Sequence, residues 1–367
     1  MKTRSLTQFY QDIPKLDLHY HLLGGVKLST MQALANKYQV PLSEEDAKSY
    51  YRQYQIPGAK RKGGIEALTF LYRIMREPVD YQTVVMEVAE AAKASGLRYI
   101  ETFWNPSDSA ISYDILHPAL VEAADLAEQT FGVIIRYIPS INRETSPEIA
   151  VEMIEEVIQH PHPYVLGVGI DYKEQNAPVE NFWKTYRLAE LNGLKKTAHC
   201  SEFGLHWRNV ETGIELIGCD RIDHGYSIVD NPELMHKYAL SGVPFTVIPS
   251  NTYFLMQWPN NTEWQQKQPI RMMAKAGLNI IPCTDDWYIH DTDSANCYRV
   301  MVEELGFDLD AIRQMIENSI DAAWVSEQQK LTWKKEWLAE FDHLRAQLIE
   351  EPMIDASLYT PYQKLSQ

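Results

Sequence analysis

Hydrophobic positions along the chain repeat with two different periods. Near the start, in KLDLHYHLLGG (15–25), Leu16, Leu18 and Tyr20 alternate with Asp17, His19 and His21, which predicts a strand carrying both imidazoles on one face. Gly24 and Gly25 end it. Further extended apolar runs occupy 97–103, 133–138, 164–170, 195–199, 221–224, 243–248 and 278–285, making eight with the first. Between them the spacing turns helical over 28–34, 81–94, 118–130, 147–159, 179–191, 210–216, 232–239 and 270–276.

Alternating strands and helices imply parallel pairing through right-handed crossovers. Eight such units predict an α/β protein, a (β/α)8 TIM barrel, whose active site gathers at the C-terminal ends of the strands. An open doubly wound sheet is the rival, but the chain has neither a G-x-G-x-x-G turn nor a Walker motif. The long, mostly helical stretch between the first two strands reads as an insertion. Beyond the barrel, Trp333, Trp337, Phe341, Leu344 and Leu348 form the apolar stripe of a C-terminal packing helix. No repeat, low-complexity tract or linker divides the chain, so one domain is expected over 1–350 with a tail over 351–367.

Charge narrows the partners. The 50 acidic residues against 34 basic ones give a net charge of −16, without a Lys/Arg block. Nucleic acid and membrane surfaces are therefore not expected partners. The four cysteines, at 200, 219, 283 and 297, contain no C-x-x-C, so neither a disulfide framework nor a cysteine-based zinc site is indicated, and a cytoplasmic home is expected. The N-terminus has no apolar signal core, and no run approaches the ~18 apolar residues of a membrane span.

The barrel reading makes a test of its own: chemistry should sit at strand C-termini. His19 and His21 end the first strand, His199 the fifth, His224 the sixth, and Asp285 with Asp286 the eighth. Three imidazoles and a carboxylate suit one Zn2+ per chain with an open position for water, and hydrolysis is the natural reaction class. Glu202, three residues after His199, can shuttle a proton between that water and a substrate nitrogen, and His224 can stabilise or deprotonate the water. Singly, each has an ordinary structural reading; Asp285 and Asp286 alone would pass for a helix N-cap pair. Their joint placement on one barrel face points to a metal. The other H-x-H, His160-Pro161-His162-Pro163, is broken by prolines, precedes the fourth strand and reads as loop. His206, His236 and His290 lack comparable support, although His290 lies close enough to Asp286 to line the pocket. A second metal would need a bridging carboxylate or modified lysine on a middle strand, and YVLGVGI (164–170) offers none.

The motifs PKLDLHYHLLGG, HCSE, RIDHG and CTDD, in this order from Pro14 to Asp286, resemble those of the adenosine deaminase family within the amidohydrolase superfamily. The resemblance implies a (β/α)8 barrel with one zinc held by His19, His21, His199 and Asp285. Glu202 would protonate the purine ring nitrogen beside the reacting carbon, His224 would position the hydroxide, and Asp286 would bond the imidazole-ring nitrogen. Ammonia would then leave.

Several positions depart from the family pattern. Leu23 stands where adenosine enzymes usually carry an acid that contacts the sugar hydroxyl, a change expected to weaken ribose recognition. Tyr172-Lys173-Glu174-Gln175 replaces the A-G-D/E turn that contacts the base, which makes Lys173 and Glu174 candidate substrate-binding residues. Ser201 replaces a common glycine and Trp287 a frequent proline. The expected substrate is a small-molecule purine, adenosine-like or adenine-like, with Leu23 and Trp104 or Trp287 forming an apolar end to the pocket. The alternatives are an N6-modified purine or a pterin-like heterocycle, then a non-deaminating zinc hydrolase or an inactive purine-binding barrel. The oligomeric state is not legible in the sequence.

Overall fold

A computed structural model describes residues 2–54, 63–250, 265 and 267–353. Eight parallel strands follow one another in sequence order around a nearly closed barrel: β1 Lys15–His21, β2 Leu97–Trp104, β3 Ile134–Asn142, β4 Gly167–Asp171, β5 Lys195–Cys200, β6 Arg221–His224, β7 Pro244–Val247 and β8 Asn279–Pro282. Closure between β8 and β1 comes from one residue beyond β8: the Asp285 amide donates to His19 O (3.0 Å) and its carbonyl accepts from His21 N (2.9 Å).

Alternation along β1 sorts its side chains. Leu16, Leu18 and Tyr20 are buried towards the helical layer, where the Tyr20 ring packs on Trp287. Asp17, His19 and His21 face the interior. Lower in the barrel, Arg221 of β6 meets Glu101 of β2 at 2.8 Å, with the guanidinium 4.1 Å from the centre of the Trp324 ring. Tyr99 Oη and Trp324 N donate to the other Glu101 oxygen, so this ion pair is buried but well partnered on the carboxylate side.

Among the described residues between β1 and β2, the structure is mostly helical as expected, with helices Leu28–Lys37, Glu44–Ser49, Gly64–Ile74 and Pro78–Ala94. The C-terminal helix Glu327–Ala346 buries Trp333, Trp337, Phe341 and Leu344, and Phe341 meets Phe9 of the helix Leu6–Asp12 edge-on at 5.3 Å. Beyond 353, the expected tail lies outside the described residues. Among the described residues, no helix is long and apolar enough to cross a membrane.

The differences from the expected boundaries have physical causes. The fourth strand starts later and ends later than expected, because Val165 makes only an isolated bridge to Tyr137 while pairing with β3 runs through Asp171. The eighth stops at Pro282, because Asp285 turns left-handed at φ +66°. Pro118 does not open a helix; it sits inside Tyr113–Phe131, which loses one backbone bond there. The segment 210–216 splits into a short helix Arg208–Glu211 and a π-turn Thr212–Leu216, where Gly213 leaves room for Ile222 and Cys200. The amphipathic helix Leu309–Ala322, absent from the sequence reading, packs between the barrel and the C-terminal helix.

Candidate metal centre and active site

One ligand atom each from His19, His21, His199 and Asp285 lies within 4.8 Å of the others, and all four residues are buried. Nε2 of His21 faces Nε2 of His199 at 3.2 Å, and Asp285 Oδ1 lies 3.3 Å from His21 Nε2 and 3.6 Å from His19 Nε2. Their positions follow from the strands: His19 and His21 share one face of β1, His199 comes from β5, and Asp285 from the turn after β8.

Buried partners orient the imidazoles. The Thr246 hydroxyl donates to Asp223 Oδ1 (2.8 Å), so its oxygen accepts from His19 Nδ1 (3.0 Å). His19 Nε2 is thereby turned to the cluster, where it has no protein hydrogen-bond partner. Asp223 Oδ2 accepts from Thr197 Oγ1 (2.8 Å) and lies 3.3 Å from His199 Nδ1. Burial works against the Asp223 charge, but His19, His199 and Arg221 outweigh it and hold the carboxyl below its usual range. Behind His21, Asp171 Oδ2 lies 3.6 Å from Nδ1, while Asn105 Nδ2 donates to Asp171 Oδ1 (2.7 Å). The fourth strand therefore does carry a carboxylate, one residue past the run read from sequence, and it lies behind His21.

An orphaned Nε2, converging imidazoles and an adjacent carboxylate fit a divalent metal such as zinc. Burial, reinforced by His19, pushes His199 down to about 3, so it is neutral and able to ligate. His21 differs: burial favours its neutral form, but Asp285, Asp286 and Asp171 outweigh that and lift it to about 10. A metal taken up here therefore displaces a proton from His21.

Glu202 and His224 stand beside this cluster, with Glu202 Oε2 3.7 Å from His224 Nε2. Burial, with Asp285 and Glu174, pushes the Glu202 carboxyl well above its usual range. Burial, with His19 and His199, pushes the His224 imidazole well below its usual range and keeps it neutral. Burial and Asp285 likewise raise Asp286. An acid and a base with opposed shifts, side by side, are the equipment of general acid–base catalysis.

Asp286 is tightly hemmed in. A Cβ on Gly24 would fall 2.1 Å from Asp286 Oδ1 and 2.6 Å from its Cα, so the glycine is required for this close approach. His290 sits with Nε2 3.8 Å from Asp286 Oδ2 and Nδ1 3.9 Å from Asp285 Oδ2. Backbone strain gathers at the same rim: Tyr172, Ser201, His224 and Asp285, at the ends of β4, β5, β6 and β8, all have φ between +59° and +69°.

The structure separates the candidate substrate contacts. Leu23 is buried beside Gly24. Lys173 is half-exposed, its ammonium 3.9 Å from Glu144. Glu174 is buried, and its carboxylate accepts from Ser201 N (2.6 Å), Glu202 N (3.1 Å) and Asn209 Nδ2 (2.8 Å). The expected aromatic wall is corrected. Trp104 stacks on Tyr113, and Trp287 packs on Tyr20 behind β1, both on the outer side of the strands. Phe103 instead faces inward, its ring 5.3 Å from those of His19 and His21 and 5.4 Å from that of His199. Strand alternation was the signal for it, since Phe103 shares a face with Glu101. His160 and His162 lie outside the cluster; His160 ends the helix Pro147–Gln159.

A family model described as adenosine deaminase matches residues 14–337. An amidohydrolase of Burkholderia ambifaria solved with bound zinc is 38% identical, with a TM-score of 0.89, covering 94% of this chain and 95% of that one. The adenine deaminase of Arthrobacter aurescens shares the fold at TM-score 0.80 and 21% identity, over 90% of this chain and 99% of its own. Among sequences, an adenine deaminase of a Marinomonas species is 26% identical over 343 residues, 89% of this chain and 96% of that protein.

Proposed function

The chain belongs to the adenosine deaminase family, hydrolases that act on C–N bonds, and on that premise we propose that it is a zinc-dependent aminohydrolase that deaminates a purine and releases ammonia. The observation that carries this reading is the convergence of His19, His21, His199 and Asp285 beside Glu202 and His224. Those four residues would hold the metal, and when bound it supplies a water that is nucleophilic at neutral pH.

The chain's own groups do the rest. Glu202 donates its proton to the ring nitrogen beside the amino-bearing carbon. The Glu202 carboxylate so formed would take the proton of the attacking water and pass it to the departing amine, while His224, 3.7 Å away, would orient that water. Asp286, with its raised carboxyl, donates to the imidazole-ring nitrogen of the base. Phe103 offers an apolar surface against the histidines and restricts water there.

Leu23 favours a substrate without a recognised sugar. Leu23 is buried, and an aliphatic side chain cannot accept a hydrogen bond from a ribose hydroxyl. An adenine-like base or an N6-substituted purine is therefore preferred over adenosine.

The test is ammonia release by the purified, zinc-assayed protein from adenosine, deoxyadenosine, adenine, N6-substituted purines and aminopterins. Release from one of these, lost in Glu202→Ala with zinc retained, is the expected result, and Leu23→Asp should move the preference towards the nucleoside. Zinc binding without release from any of them would overturn the substrate class. Absence of zinc binding would overturn the ligand set.

A further inference from the structure

The turn that follows β5 is held from outside at four backbone groups, from His199 O to Glu202 N. Arg143 Nη2 donates to His199 O (2.7 Å), Gly225 N donates to Cys200 O (2.8 Å), and Ser201 Oγ donates to His206 O (3.1 Å). The two amides that follow are both taken by Glu174: Ser201 N donates to Oε1 (2.6 Å) and Glu202 N to Oε2 (3.1 Å). Asn209 Nδ2 also donates to Oε1 (2.8 Å), fixing the carboxylate from its other side. Within this turn Ser201 has φ +59°, a left-handed conformation that glycine adopts freely and serine does not.

We propose that Glu174 is the positioning residue for Glu202: its carboxylate clamps two successive amides and so holds the left-handed turn that aims the Glu202 side chain at the reacting centre. The proposal rests on the proton-donor role given to Glu202 above. Three features carry it. Each Glu174 oxygen accepts from one amide of the turn, Oε1 also from Asn209, and the residue is 4% exposed, which leaves little of it to read a substrate. Its donors are two amides and a side-chain amide, the arrangement that satisfies a buried carboxylate by directed hydrogen bonds. The clamp is also needed, because a serine occupies the left-handed position. A reaction that depends on placing a proton donor within a fraction of an ångström is sensitive to such a support.

Glu174→Gln keeps the size of the side chain but sets an amide group against one of the N–H donors. The expected result is a fall in kcat of about tenfold to a hundredfold, with KM within about twofold of the parent. Zinc content should be unchanged, and hydrogen exchange should accelerate across the amides of 199–204. In the Glu202→Ala background the same change should cost nothing further, since its target is gone. Adding Ser201→Gly to Glu174→Gln should restore most of the rate, because glycine holds the turn unaided. Should Glu174→Gln fail to fold, Asn209→Ala, which loosens the same carboxylate, should give the same pattern in smaller measure.

A rise in KM at constant kcat would make Glu174 a substrate contact. Losses that multiply in the double variant, or no rescue by Ser201→Gly, would make it a general structural residue. Either result overturns the proposal. If Glu202→Ala itself stays active, the role of Glu202 has failed, and exchange across 199–204 still decides whether Glu174 holds the turn.

Discussion

Asp223 and His199 meet across neighbouring strands with carboxylate Oδ2 3.3 Å from imidazole Nδ1. The same carboxylate reaches His19 through the hydroxyl of Thr246. One buried acid thus sets the orientation of two candidate metal ligands.

Asp223→Asn should accordingly weaken zinc binding by about 10- to 100-fold, measured by competition with a chelator of known affinity. In the unmodified protein, affinity should also fall as pH drops, because zinc must displace a proton from His21, whose pKa stands at about 10. Uptake of zinc in weakly buffered solution should release that proton.

Gly24→Ala should disable the site while sparing the fold. Its Cβ would fall 2.1 Å from Asp286 Oδ1 and 2.6 Å from Asp286 Cα, so the backbone carrying Asp286 has to move. A loss of kcat/KM of at least about tenfold is expected, with the four metal ligands still able to bind zinc in a metal assay.

Arg221→Met should destabilise the protein by about 3–5 kcal/mol, because it leaves Glu101 charged and buried without its cation. Denaturant unfolding of the single variant and of Arg221→Met with Glu101→Gln measures this. The double variant should recover part of the loss.

His117 gives the stability a pH dependence away from the active site. It is buried, stacked on Tyr113 at 5.0 Å and edge-on to His162, and burial with the neighbouring His162 and His160 pushes its pKa from 6.5 down to about 4. The folded protein therefore binds this proton less readily than the unfolded chain. Stability from this group is complete above pH 6.5 and is lost as the pH falls towards about 4. Comparing melting temperatures of the parent and His117→Phe across that window should show the slope reduced in the variant.

Much of the arrangement was legible in the sequence because strand period and motif order agree. His19 and His21 share a face by alternation alone, and the eight-strand count follows from runs separated by helical spacing. What escaped did so for local reasons. Asp171 lies one residue beyond the Gly-Val-Gly-Ile run, and its partnership with His21 depends on tertiary packing. Asp223 sits inside RIDH, where His224 drew attention and the carboxylate resembled an ordinary polar neighbour. At Phe103 and Trp104 the larger ring suggests a pocket wall, but alternation places Phe103 inward. For Glu174, sequence shows which turn it belongs to, but not that the amides of Ser201 and Glu202 come to meet it.

Asp285 both closes the barrel and offers a carboxylate to the cluster. Its amide and carbonyl are bonded to β1, while its side chain lies beside His19 and His21 of that same strand. An ion gripped by these three residues would act as a rivet across the seam where the first and last staves of the cylinder join. Loading the cofactor is then also the final act of hooping the barrel, and stripping it would loosen the structure first along the β1–β8 joint.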